Sequence, residues 1–312
     1  MRLVSLYTYP VKGCYRRELD TARVEPWGLA GDRRWMIVDE DGVGVTQRQV
    51  AGLVAIRPEL RPGGLVLRAA GRPALEVAEP ISAEPIGAEW TGAEWTGAEW
   101  TGAEWTGAES TGGEPVAVRV FSNMPDVPAR RAASAADDWL SRLLDRKVRL
   151  VWLGDPTVRP IPDTHLADPA ERVSFADGYP LLLANRASLD ALNSSLSDSG
   201  DGEAPLPMTR FRPNVVVGGA VPWAEDDWIG RLLRIGPVTF RVAKPCGRCL
   251  VTTTDQETGV RGREPLRTLA KYRRINRQLV FGQNLVPVSA PDPSGALGTL
   301  TVGDPVEILR TA

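Results

Sequence analysis

The run Lys244-Pro-Cys-Gly-Arg-Cys-Leu-Val-Thr-Thr-Thr-Asp-Gln-Glu-Thr-Gly259 holds two of the chain's three cysteines, Cys246 and Cys249, at CxxC spacing. A thiolate on stiff backbone can be a soft metal ligand, a redox centre or a nucleophile. Arg248 is adjacent to Cys249 and Lys244 is close in sequence, and cationic neighbours favour thiolate over thiol. Thioredoxin-type chemistry wants its CxxC at the start of a helix, whereas Leu250-Val-Thr-Thr-Thr254 is a β-branched run that resists helix. A zinc knuckle needs a second ligand pair, and only the distant Cys14 and His165 remain. Two cysteines packed in a strand, without chemistry, are the plain alternative. The turn Asp255–Gly259 is expected to reverse the strand, with Gly259 left-handed, so that Cys249 sits on a rigid β-hairpin as a single ligand.

The rest of the composition narrows the chemistry. The formal charge is −2 over 312 residues, with both signs scattered, which gives no general footprint for nucleic acid and no polybasic membrane anchor. No long apolar run reads as a signal peptide or a membrane span, so a cytoplasmic location is expected. Three cysteines make no disulfide framework and suit a reducing compartment. The single histidine, His165, rules out an HExxH zinc site and a two-histidine iron site within this chain. A Ser-His-Asp triad would need His165, and no GxSxG elbow accompanies it. In its loop-like setting His165 reads as a surface or packing residue.

These residues need elements to position them. Leu3–Tyr7, Trp35–Asp39 and Leu65–Arg68 read as short strands, with Asp39–Gly42 a hairpin turn, which suggests a barrel or sandwich. Residues 87–112 break the pattern with a Gly-Ala-Glu-Trp-Thr repeat whose period fits neither helix nor strand, so the segment reads as a tandem-duplication loop. Val116–Phe121 is expected to resume as a strand. Ser134–Asp145 is expected as a helix capped by Ser134, with Asp137 and Asp138 at its positive end and Trp139, Leu140, Leu143 and Leu144 on its apolar face. Leu150–Leu153 reads as a strand, a short helix is expected near Ala187-Ser188, and Ser197–Pro205 reads as a mobile loop. A last helix is expected from Glu264 through Tyr272, with Pro265 in its first turn. The fold class is mainly β with α (α+β).

Six blocks in order carry a resemblance. Pro245–Gly259 resembles the cysteine motif of MOSC domains, the fold named for the C-terminal part of molybdenum cofactor sulfurases. Tyr9–Gly13 and Gly31–Met36 resemble the N-terminal β-barrel domain that precedes MOSC, while Asp177–Leu183, Arg210–Asn214, Glu264–Arg273 and Phe281–Gln283 resemble MOSC proper. The resemblance implies an N-terminal β-barrel domain over 1–125, carrying the repeat insertion, and a β-barrel-like MOSC domain with a few helices over 126–312. It is nearest to the amidoxime-reducing components and their bacterial counterparts.

It also implies a cofactor, Mo-molybdopterin, with Cys249 as the protein ligand to molybdenum. Lys12, Arg33 and Arg212 would line the pterin-phosphate site, with Gly13 allowing close backbone approach. Asp177 could accept hydrogen bonds from the pterin, with a turn or capping role as the alternative, and Arg248 joins the cofactor-binding set. A dithiolene plus a protein thiolate gives the soft ligands molybdenum favours, while arginines suit a phosphate. The implied reaction is reduction of N-hydroxylated small molecules, with electrons from a separate ferredoxin- or flavoprotein-like partner. The alternative is a sulfur or cofactor carrier using a persulfide on Cys249. Pyridoxal phosphate attaches to the family label through the aminotransferase-like half of the sulfurases, and no Schiff-base lysine context supports it here. Gly13 stands where some relatives have serine, which removes one hydroxyl from the phosphate site. Cys246 is expected to pack rather than to ligate.

Overall fold

A computed structural model describes residues 1–80, 113–163, 168–197 and 205–309. The Gly-Ala-Glu-Trp-Thr repeat, His165 and the interior of the 197–205 loop lie outside the described residues. Among the described residues most of the regular structure is strand, accompanied by three α-helices, so the fold is α+β as expected.

The largest sheet has nine strands. From its edge it runs Val306–Ile308, Leu232–Ile235, Val238–Gly247, Gln278–Pro287, Leu181–Asn185, Val215–Gly218, Arg2–Thr8 and Arg17–Leu19, with Arg274–Ile275 paired to the Gln278–Pro287 strand. Only Leu181–Asn185 and Val215–Gly218 pair in parallel within it. A four-stranded sheet joins Trp35–Val38, Arg149–Trp152, Val127–Arg131 and Pro115–Val118, and two three-stranded sheets complete the set. Segments far apart in sequence share sheets: Arg2–Thr8 pairs with Val215–Gly218, and Thr21–Glu25 with Gly298–Thr301. That interleaving carries the loops of residues 9–48 against the loops of residues 176–256.

Alternation explains the cores. Leu3 and Leu6, Leu183, Val217, Phe240 and Leu285 point from the large sheet into one buried cluster. Trp35, Ile37, Leu65, Leu67 and Leu150 make a second, closed by Trp139 and Leu140 of α1 (Ser134–Leu144). The helix α2 (Arg186–Ser197) and the helix α3 (Leu266–Tyr272) pack Leu189, Leu192 and Leu269 on the stacked rings of Phe211 and Phe281, whose centroids are 3.8 Å apart.

Three local expectations need correction. Ser134 is the first helical residue and Ala133 holds the cap position, without a side-chain bond. Asp137 is buried, and its carboxylate accepts from Arg131 and from the Leu150 N–H at 2.8 Å, tying helix to strand rather than serving the dipole alone. Pro265 likewise stands at the cap position of α3, one residue before the helix.

The largest difference lies after the CxxC. The strand Val238–Gly247 ends before Cys249, and Leu250–Thr253 is a 3-10 turn rather than the hairpin strand expected. The β-branched residues themselves supply the reason. The Thr252 hydroxyl donates to the Cys249 carbonyl at 2.8 Å and the Thr253 hydroxyl to the Leu250 carbonyl at 2.8 Å, so local side-chain bonds outcompete strand propensity.

Candidate functional site

Lys12, Gly13, Arg33, Asp177, Arg212, Arg248 and Cys249 line one open cleft of about 910 Å³, its mouth included. Backbone lacing assembles them. Tyr9 N–H donates to the Asp32 carboxylate at 2.8 Å, Arg33 N–H to the Tyr9 carbonyl at 2.9 Å and Lys12 N–H to the Trp35 carbonyl at 2.8 Å. Phe175 N–H donates to the Arg33 carbonyl at 3.0 Å, which brings Asp177 to the same rim. On the far wall, Arg248 Nη2 donates to the Phe211 carbonyl at 2.7 Å and holds the cysteine loop against Arg212.

The two arginines of the cleft floor share an aromatic support. The guanidiniums of Arg33 and Arg212 lie 4.5 Å and 4.1 Å from the ring centroid of the buried Tyr9, whose hydroxyl donates to the Pro213 carbonyl at 3.0 Å. Both residues are left-handed, with φ of 50° and 53°, a conformation that non-glycine residues hold only where the surroundings impose it. Strand alternation therefore does not decide that Arg33 faces inward; the turn does. Its neighbour Arg34 turns away to donate to the Leu153 and Gly154 carbonyls at 2.7 Å and 2.6 Å.

Charge in the cleft is unevenly compensated. Arg33 pairs with the buried Asp32, and Lys12 pairs with Asp177. Burial lowers the Lys12 ammonium to about 8, against the opposing pull of Asp177. Burial would raise the Asp177 carboxyl, but the Lys12 ammonium outweighs it and, with Arg33 and Arg48, brings it down to about 2. Asp177 is surrounded by protein yet faces the open cleft, its side chain 64% exposed, so solvent screens the pair and limits what it adds to folding. Arg212 is different: it is buried, it donates from Nη1 to the Gln256 amide oxygen at 2.9 Å, and its Nη2 has no partner. No carboxylate among the described residues lies within ion-pair distance of it. Desolvation pushes its pKa down to about 10.

The cysteines divide in an unexpected way. Arg248 donates from Nη1 to the Cys246 sulfur at 2.9 Å, whereas Cys249 lies near the guanidinium of Arg48, whose pKa it raises. Lys244, read from sequence as a helper of the thiolate, is instead paired with Asp163 and packs 5.5 Å from the Tyr179 ring. Cys246 is half-buried on the cleft wall rather than packed in a core. The sequence offered no sign of Arg48, which comes from the loop after Thr46-Gln47 and packs 4.9 Å from the Phe121 ring. Tyr9 and Gln256 were missed too, although each lies inside a block that carried the resemblance. Gln47 and Gln256 exchange amide bonds at 3.1 Å and 3.0 Å, and Gln47 also donates to the Gly13 carbonyl at 2.7 Å. Those bonds fasten the Lys12-Gly13 corner to the cysteine-bearing loop.

Residues 1–147 match the model of the MOSC N-terminal beta barrel domain, and residues 170–307 match that of the MOSC domain. The chain is 32% identical to mitochondrial amidoxime-reducing component 1 of Homo sapiens, over 98% of this chain and 82% of that protein. The chain belongs to the MOSC family. A second group of relatives is named molybdenum cofactor sulfurase; that of Anopheles gambiae is 34% identical over 90% of this chain but only 34% of its own length. In this MOSC protein both matched segments line the cleft: Lys12, Arg33 and Arg48 come from the first, Asp177, Arg212 and Cys249 from the second. No helix among the described residues is long and apolar enough to cross a membrane.

The residues present suit an anionic, sulfur-ligated cofactor. The Nη2 of Arg212 and the Nε of Arg248 are buried donors without a partner, on two residues that line the cleft. A buried guanidinium without a counterion is expensive unless an anion completes it. Gly13 has φ of +83°, and a Cβ there would meet Leu53 Cδ1 at 3.0 Å, so the corner beside Lys12 favours glycine. Cys249 supplies a soft donor in the same cleft.

Proposed function

We propose that the chain binds the molybdenum cofactor in this cleft and reduces N-hydroxylated compounds, drawing electrons from a separate redox protein. The observation that carries the reading is the buried guanidinium of Arg212, without a carboxylate in ion-pair distance among the described residues, in the same cleft as the Cys249 thiol, in a chain related over nearly its whole length to an amidoxime-reducing component. Cys249 would be the protein ligand, and Arg212, Arg33 and Lys12 would hold the cofactor's phosphate. When bound, molybdenum supplies the two-electron couple.

The chain's own residues do the rest. Arg212 and Arg33 fix the anion from a rigid tyrosine platform, so orientation is set before binding. Lys12 adds a compact charge whose protonation Asp177 maintains. Arg48 places a cation on the cleft lining near Cys249. The net conversion of an N–OH group takes two electrons and two protons and gives N–H and water. Three unlinked cysteines support a reducing compartment such as the cytosol for this chemistry.

Purified protein from cells supplied with molybdate is expected to hold one molybdenum per chain and to reduce an aryl amidoxime to the amidine with a viologen dye as donor. Metal-free protein bearing a persulfide on Cys249 would support the second reading, a sulfur or cofactor carrier. That reading draws on the relatives named molybdenum cofactor sulfurase.

A further inference from the structure

Charge is nearly balanced along the whole chain, but not locally. Between residues 261 and 277 Glu264 is the single carboxylate, and it is buried, accepting from Thr268 N–H at 3.0 Å. The same stretch exposes Arg261, Arg263, Arg267, Lys271, Arg274 and Arg277. Among the described residues no carboxylate lies in ion-pair distance of Arg263, Lys271, Arg274 or Arg277.

Two features show that local stability does not favour this arrangement. Lys271 stands on the exposed side of α3 with no acidic residue three or four positions away, where a carboxylate would stabilise the helix. Asn276 and Arg277 form the two-residue turn between Arg274–Ile275 and Gln278–Pro287, with φ of 47° and 65°. Such a turn favours glycine at its second position, yet an arginine is held there in the left-handed region with its side chain in solvent.

The basic face is continuous with the cleft. Arg274 pairs with Leu279, whose carbonyl accepts the Arg248 N–H at 2.7 Å, so the hairpin lies two strand spacings, roughly 10 Å, from the segment that carries Cys246 and Cys249. The Leu250–Thr253 turn packs against α3, and Leu250 and Tyr272 are 50% and 60% exposed. A cationic field with an exposed aromatic and an aliphatic anchor is the chemistry that receives an acidic protein.

We propose that this face, α3 with the Arg274–Gln278 hairpin, is the docking surface for a small acidic electron-transfer protein. The inference rests on the reductase reading above and deepens it. One-sided charge on an otherwise near-neutral molecule orients the carrier so that its redox group approaches the cysteine wall.

The test uses the holo-protein and its K271E/R274E/R277E variant, none of these positions lying in the cleft. The probes are an acidic [2Fe–2S] ferredoxin, a flavodoxin and a reduced viologen dye. Wild type is expected to bind a carrier in a salt-sensitive manner, and the variant to lose about tenfold or more in affinity and in carrier-driven turnover while dye-driven turnover is unchanged. The proposal is overturned if the variant binds the carrier as wild type does. It is equally overturned if neither carrier binds, including the case where the face retains only heparin. Carrier binding through the face without any dye-driven amidoxime reduction would support the docking surface and remove the reductase reading instead.

Discussion

Arg248 donates from Nη1 to the sulfur of Cys246 at 2.9 Å, although Cys249 is its neighbour in sequence. The CxxC therefore gives two sulfurs in different settings, the first accepting from Arg248 and the second near the Arg48 guanidinium. Exchanging Cys246 for serine keeps an acceptor for Arg248, so cofactor retention and amidoxime reduction are expected to stay within a few-fold of wild type. Molybdenum content and turnover of C246S check this; loss of both would mean that the first sulfur ligates too.

Arg212 is a buried charge that the empty protein leaves uncompensated. Replacing it with methionine is expected to raise the thermal stability of the cofactor-free protein while cutting cofactor retention by about a hundredfold, since breaking up an unpaired buried charge is favourable but the anion loses its partner. Thermal melts of the cofactor-free form and molybdenum content of the loaded form give the two readouts. A variant that is less stable and still loads fully would contradict the assignment.

For Lys12 the sign follows from burial. Its pKa is lowered from 10.5 to about 8, so the ammonium is present below that value and lost as pH rises through it. Affinity of the empty cleft for a phosphate monoester is expected to fall above pH 8, and K12R is expected to abolish that limb because guanidinium stays charged. Between about 8 and 10.5 the unfolded chain binds the proton that the folded chain releases, so folding stability rises across that window. Phosphate titrations and denaturant melts across pH 7–11 measure both effects.

Gly13→Ala places a Cβ at φ of +83° and 3.0 Å from Leu53 Cδ1. The expected cost is about 1–2 kcal/mol, seen as a drop of a few degrees in Tm. An unchanged melting curve would show that the corner relaxes freely.

The strands and the three helices were legible because they depend on local pattern, as in the β-rich run Leu3–Tyr7 and the apolar stripe of Trp139 and Leu140, whereas the Lys12-Gly13 corner came only through the family resemblance. What was not legible depends on long-range closure. Arg33 and Arg212 face the cleft through left-handed backbone and a shared tyrosine, which no spacing encodes. Arg48 comes near Cys249 across 201 positions of sequence, and the Leu250–Thr253 turn follows threonine hydroxyl bonds that propensity does not weigh.

The flanks of the repeat meet in space. A Cβ on Gly113 would fall 2.5 Å from the Pro80 Cβ, so Pro80 and Gly113 are spatial neighbours. Replacing residues 81–112 with a short Gly-Ser linker is expected to leave the melting temperature and amidoxime reduction unchanged, because closing a shorter loop costs little. A destabilised or inactive deletion protein would show that the segment is part of the working structure.

The central claim is that Cys249 binds molybdenum. X-ray absorption at the molybdenum edge, on loaded wild type and on C249S, tests it directly. The account predicts one sulfur neighbour fewer in C249S together with loss of amidoxime reduction; identical sulfur coordination and undiminished turnover in the variant would contradict it.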